Sequence, residues 1–310
     1  MNTSKWILIT IGIIVVYLLF VMFSDVSILI ENFQKMDLKY ILLGIAVIFV
    51  SISLKGIRWF LMLKNLNIKI NLKSCMLIYF SGIAFGLTPG RLGEVMKSHY
   101  LKRFIGTPIT TSAPTILVER FFDMFAILII SLFALFAISI KNDFIFIGFA
   151  ILIFSFFLIY EKKIFLKLLT KTKSLPIIGK ISEKLIPTMD VVFILTKPKS
   201  MLTTLPLSIV SWLLESLVLY FVLKAFDISL SVITSSFIFV ASTFLGSISF
   251  LPGGIGATEG GLLGLLYLEN ISYNDALGPV IMIRIMVLWM TIIFGLIINR
   301  ITEMTILKNK

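Results

Sequence analysis

Eleven residues, Leu251 to Gly261 (LPGGIGATEGG), set the tightest limit on how this chain folds, because they place one proline, five glycines and a glutamate inside an almost continuous apolar run. Proline lacks the N–H that a helical ladder needs, and glycine frees the backbone, so a helix breaks here and leaves polar backbone groups exposed. In hydrocarbon such groups need partners, and broken backbone is tolerated only where protein or a water-filled cavity satisfies it. The stretch therefore reads as a turn between two half-helices lining a site, with Pro252, Gly253, Gly254, Gly256 and Gly260 shaping the turn and Glu259 facing the site. The plainer alternative is a loop at the membrane surface carrying an ordinary glutamate.

A second copy of the device lies at Thr88 to Glu94, TPGRLGE. Pro89, Gly90, Leu92 and Gly93 align with Pro252, Gly253, Ile255 and Gly256 at one constant offset, with Arg91 opposite Gly254. Upstream, LKNLNIKI from Leu63 resembles LKAFDISL from Leu223, and downstream Pro114 and Arg120 approximately match Pro279 and Arg284. Matches in the same order on both sides of the break point to a duplicated chain.

With 58% hydrophobic and 14% charged residues in 310, the chain is too apolar for a soluble domain of its length and is expected to be an all-α, polytopic membrane protein. Its net charge of +12 does not imply nucleic acid, because the Lys and Arg residues sit in the connections between apolar spans, where orientation and anionic headgroups account for them. One cysteine, Cys75, and one histidine, His99, leave neither an intrachain disulfide nor a histidine-cluster metal site, and no cofactor is expected.

Four segments follow, all within one membrane domain. Residues 1–39 hold an uncleaved first helix, 6–23, and its connection, and 40–160 form the first repeat, with helices expected from about Tyr40 to Leu63, from near Pro114 to near Ile140 and from Phe144 to Tyr160. A lysine-rich connection occupies 161–200 and is expected to lie on anionic headgroups at the cytoplasmic face, and 201–310 form the second repeat. In the first repeat the apolar run from Cys75 to Leu87 is too short to span comfortably and is expected to be a re-entrant hairpin broken at Pro-Gly. The helix beginning near Pro114 carries Glu119, Arg120 and Asp123 in its first turns; the two acids share a face, while Arg120 is expected to point elsewhere and pair with a neighbouring element. In the second repeat Glu215 sits inside an apolar run at the position equivalent to Lys55, so the two charges are candidates to pair across a pseudo-two-fold axis. A repeat of three crossings inverts its second copy, and the basic connections place both termini in the cytoplasm of a multi-pass cell-membrane protein.

At TPGRLGE, ERFFD and LPGGIGATEGG the sequence resembles the flippase-like membrane proteins that include the transmembrane domain of lysyl-phosphatidylglycerol synthases, and the resemblance covers nearly the whole chain. It implies a role in moving or handling polar-headed lipids. It falls on Pro89, Gly90, Arg91, Gly93 and Glu94, on Glu119, Arg120 and Asp123, and on Pro252, Gly253, Gly254, Gly256, Glu259 and Gly260. The expected substrate-binding set is Arg91, Glu94, Glu119, Arg120, Asp123, Glu215, Glu259 and Arg284, with the arginines suited to a phosphate by their two-pronged donor geometry. The substrate is expected to be a phospholipid or a polyprenyl-phosphate-linked lipid. No catalytic set is complete, so an enzyme is not expected. Two alternatives stand beside a lipid transporter: a non-transporting partner of a lipid-modifying enzyme, and an integral-membrane transferase on a lipid-linked substrate. The oligomeric state is open.

Overall fold

The computed structural model describes residues 22, 25–137 and 189–308, and among these it is helical, with no strand. Apart from Met22, the expected first helix at 6–23 lies outside the described residues, as do the span at 144–160 and most of the lysine-rich connection. Among the described residues, three helical runs are long and apolar enough to cross a membrane: Leu38–Asn65, Pro198–Ala225 and Tyr273–Met304. At about 1.5 Å rise per residue, 28 residues reach roughly 42 Å, more than a hydrocarbon core of about 30 Å. The protein is thus a multi-pass membrane protein.

The chain divides into two compact units. The first takes Met1–Phe49, Leu87–Leu92 and Leu213–Thr291, and the second takes Val50–Gly86, Gly93–Trp212 and Ile292–Lys310. In the first unit, α1 (Val26–Lys35) starts at Asp25, whose carboxylate accepts from Ser27 and Ile28; the Ser27 hydroxyl and amide, then the Ile28 amide, hold that carboxyl below its ordinary range. The first part of α2 (Leu38–Asn65) comes close enough to its neighbours that a side chain at Gly44 would meet the Met286 methyl at 2.7 Å. In the second unit, α3 (Leu72–Ile83) packs with α4 (Met96–Ile105), and the short α5 (Ile109–Ser112) leads into α6 (Pro114–Ala137). Helix α7 (Met189–Leu195) packs on α6, where Met62, Val118, Phe122 and Leu195 form a buried apolar cluster. Helix α8 (Pro198–Ala225) contributes its first half to the second unit and the rest to the first.

The first unit also holds a hairpin of two short apolar helices, α9 (Val232–Ile248) and α10 (Ala257–Leu268). Small residues let them touch: an ideal Cβ on Gly261 would lie 3.1 Å from Ser242, and one on Gly246 would overlap the Thr258 hydroxyl. Between them Gly253, Gly254 and Gly256 have φ of 61°, 66° and 87°, the left-handed region in which glycine escapes the Cβ penalty. Gly260 lies inside α10, where an added Cβ would meet nothing, so it belongs to the helix rather than the turn. Helix α11 (Tyr273–Arg284) passes through a π-helical segment, Ile285–Met290, into α12 (Thr291–Lys308).

Segments that match in sequence also match in local backbone. Helix α2 ends with the Ile68 amide donating to the Leu63 carbonyl at 3.0 Å and Asn67 at φ 57°. Helix α8 ends with the Ile228 amide donating to Leu223 at 2.9 Å and Asp227 at φ 57°. Each is followed by a capped helix: the Asn71 side chain accepts from the Ser74 amide at 2.8 Å, and Ser231 accepts from Thr234 at 3.0 Å. At the breaks, the Arg91 amide donates to Thr88 at 2.7 Å and the Gly254 amide to Leu251 at 2.9 Å, with φ of 56° and 66°. The sequence opposes Arg91 to Gly254, and the backbone assigns both the same left-handed place.

Candidate functional site

The second unit contains a closed ring of six ions of alternating charge. Arg58 lies in α2, Glu94 in the 3₁₀ turn Pro89–Val95, Lys97 in α4, and Glu119, Arg120 and Asp123 in the first turns of α6. Around the ring, Arg58 Nη1 meets Asp123 Oδ1 at 2.6 Å, Asp123 Oδ2 meets Arg120 Nη2 at 3.0 Å, and Arg120 Nη2 meets Glu94 Oε2 at 3.7 Å. Glu94 Oε2 then meets Lys97 Nζ at 3.1 Å, Lys97 meets Glu119 Oε2 at 2.6 Å, and Glu119 Oε1 returns to Arg58 Nη2 at 3.5 Å. Each charge stands between two of opposite sign. This matters because an isolated buried ion loses several kcal/mol of hydration, and only near, well-oriented partners offset the loss.

Local packing fixes the ring's geometry. Arg58 Nη1 also donates to the Ser208 hydroxyl at 2.6 Å, and the Trp212 indole N–H donates to Asp123 Oδ1 at 3.1 Å. Lys97 Nζ lies over Trp59 and Tyr79, 5.4 Å and 4.9 Å from the ring centroids, and the Trp59 indole donates to the Thr115 hydroxyl at 3.1 Å. The Lys97 stem crosses α3 at Gly82, where an ideal Cβ would come within 2.3 Å of the lysine Cγ; only a residue without a side chain leaves that path open. Lys55, one helical turn before Arg58, lies with its ammonium 4.3 Å from the centroid of Trp212.

The first unit contains a separate ion pair. Arg284 Nε donates to Glu259 Oε1 at 2.7 Å, and Arg284 Nη2 donates to the Gly253 carbonyl at 2.8 Å. The other carboxylate oxygen of Glu259 accepts from the Gly256 amide at 2.8 Å, filling one of the donors left over at the start of α10. The pair thus closes the broken turn on both sides.

Of the residues expected from sequence to bind substrate, Glu94, Glu119, Arg120 and Asp123 come together in the ring, and Glu259 and Arg284 come together at the turn. Arg91 is half-buried in the first unit's segment of the first break, and Glu215 is buried on the second half of α8. Arg120 meets a neighbouring element, as expected, through Glu94 of the 3₁₀ turn at 3.7 Å, and it also pairs within its own helix with Asp123 at 3.0 Å. Sequence reasoning missed Arg58 and Lys97. A signal existed in the stripe Ser51, Lys55, Arg58, all buried on one face of an apolar helix, and in the three-residue spacing of Glu94 and Lys97.

Comparison with known proteins places this architecture among membrane proteins. A family model described as the lysylphosphatidylglycerol synthase TM region matches residues 7–295. The chain is similar to a UPF0104 membrane protein of Methanocaldococcus jannaschii, 32% identical over 237 residues that cover 72% of this chain and 95% of the relative. It is also similar to UPF0104 membrane proteins of Pyrococcus horikoshii, 24% identical with 94% and 95% covered, and of Methanothermobacter thermautotrophicus, 20% identical with 86% of each covered.

Proposed function

Because the chain belongs to the family of the lysylphosphatidylglycerol synthase transmembrane region, we propose that it moves a polar-headed lipid between the two leaflets of the membrane, without itself catalysing a covalent reaction. The observation that carries this reading is the ion ring. Replacing a buried ion network with packed apolar side chains is often neutral or stabilising, so fold stability alone gives little reason to retain six charges in an apolar interior. A crossing headgroup does need such groups, because something must replace its water, whereas acyl chains stay in lipid beside a groove. On this reading the two broken turns are re-entrant hairpins of inverted repeats, and Arg91, Glu215, Glu259 and Arg284 also take part in binding the lipid headgroup. The lengths of α9 and α10, 17 and 12 residues, support the hairpin, since about 20 residues are needed to span. The amino and carboxyl termini are then cytoplasmic, and the lysine-rich connection rests on anionic headgroups.

Reconstitution tests the reading. Purified protein in vesicles carrying fluorescent phospholipid or polyprenyl-phosphate lipid is probed with a leaflet-selective quencher. Acceleration of one lipid over protein-free vesicles is expected, with loss of that acceleration in Asp123→Asn. A correctly folded protein that moves neither lipid would overturn transport and favour a partner subunit of a lipid-modifying enzyme, and formation of a new lipid product would favour a transferase.

A further inference from the structure

The ring is not equally strong all the way round. Its widest link, 3.7 Å, joins Arg120 to Glu94, while the links that hold the same two residues from the other side are 3.0 Å to Asp123 and 3.1 Å to Lys97. Arg120 is also the ring member that reaches the surface: its side chain is 25% exposed, against 6% or less for the other five. Its Nε–H has no acceptor, although the atom is out of contact with water. Nε and Nη2 form one edge of the guanidinium, the edge that grips two oxygens side by side; here Nη2 meets Asp123 and Glu94 as ion pairs, with no hydrogen bond to Asp123 Oδ2, and Nε has no acceptor. Across the ring, buried Arg58 likewise has an Nε–H without an acceptor. A buried donor left unmade carries a cost that an incoming oxygen would remove.

We propose that the Nε–Nη2 edge of Arg120 is an oxyanion site for a phosphate group, entered by widening the Arg120–Glu94 link, so that two phosphate oxygens take the place of Glu94 while Glu94 stays on Lys97. The closed ring is then the resting state, in which Glu94 stands in for the phosphate. That the phosphate belongs to a lipid headgroup rests on the transport reading above; the site itself rests on the geometry of Arg120 and Glu94. Glu94 is a competitor here, and this separates the proposal from a purely structural ring: removing its charge strengthens ligand binding instead of weakening it.

The test uses full-length protein in dodecyl maltoside, titrated calorimetrically with dioctanoyl phosphatidylglycerol, with dioctanoylglycerol lacking the phosphate, and with inorganic phosphate. Phosphatidylglycerol is expected to bind and dioctanoylglycerol not. Arg120→Lys keeps the charge but loses the edge and is expected to bind about tenfold more weakly. Glu94→Gln is expected to bind at least about threefold more tightly, because a competing charge is gone while the shape is retained. If inorganic phosphate alone binds as well as the lipid, the occupant is a free phosphate at the same atoms. Should Arg120→Lys fail to fold, Glu94→Gln decides: unchanged or weaker binding in that folded variant overturns the site. Wild-type binding without lipid movement would sink the transport reading and leave the site standing, whereas lipid movement with unaltered binding in both variants would do the reverse.

Discussion

Removing Lys97 should unfold the protein more readily than removing either of its partners, and removing Lys97 together with Glu119 should cost far less than the sum. Lys97→Met keeps the length of the stem over Gly82 but takes away the 2.6 Å and 3.1 Å links. Glu119 then keeps Arg58 at 3.5 Å, and Glu94 keeps Arg120 at 3.7 Å. Each carboxylate thus loses its nearer cation, and breaking a buried pair from one side typically costs about 3–5 kcal/mol. Glu119→Gln is milder, since Lys97 keeps Glu94 and Arg58 keeps Asp123 at 2.6 Å. In the double variant Arg58, Asp123, Arg120 and Glu94 remain as a balanced chain of two cations and two anions. A coupling of about 2 kcal/mol is expected, within the range measured for residues of one network. Unfolding by a denaturing detergent in mixed micelles, followed by the fluorescence of Trp59 and Trp212, gives the four free energies. Additivity within about 0.5 kcal/mol would refute the ring as an energetic unit.

Gly82→Ala should cost about 1–3 kcal/mol by driving the Lys97 stem off α3, and most of that cost should vanish in a Lys97→Ala background, where unfolding reads the rescue. Glu259→Gln should speed amide exchange at Gly256 and through 251–256 more than elsewhere, because the carboxylate that accepts the Gly256 amide and holds Arg284 is gone; uniform exchange would argue against a local latch. Gly254→Ala is strained at φ 66°, where the added Cβ would lie 2.8 Å from the Thr258 hydroxyl, and should lower thermal stability by about 1–2 kcal/mol; unchanged unfolding would argue against the left-handed turn. For orientation, cysteines at exposed His99 and exposed Asn270, with Cys75 replaced, should label with an impermeant reagent from the cytoplasmic and external sides respectively; labelling from one side alone would exclude inverted repeats.

The features legible in the sequence were those with a local cause. Proline and glycine mark the broken turn wherever they occur, so the Leu251–Gly261 break and its counterpart at Thr88–Glu94 could be placed from composition alone. Helix limits also followed local chemistry: Pro114 opens α6 as expected, and the helix expected from about Tyr40 to Leu63 runs from Leu38 to Asn65. Four of the ring's six members were legible. Glu119, Arg120 and Asp123 sit in an apolar helix, where an ionisable side chain draws notice, and Glu94 sits in the broken turn. Arg58 and Lys97 escaped because a cation near the end of a membrane helix has an ordinary explanation in headgroup attraction. What distinguishes them is which face of the helix is covered, and that is set by Ser208 and Trp212 of α8 and by the missing side chain at Gly82, residues distant in sequence.

The order in which the ring's members are synthesised gives it a further property. Arg58 precedes Glu119 by 61 residues and Asp123 by 65, and Ser208 by 150. While α2 is entering the membrane, its guanidinium has no carboxylate of the ring to meet, and an unpaired cation in hydrocarbon draws its helix toward the headgroups. Helix α2 therefore cannot settle at its final depth and rotation until α6 follows it, and a ribosome stalled between the two leaves a nascent chain with an exposed charge for the cell's quality control to find.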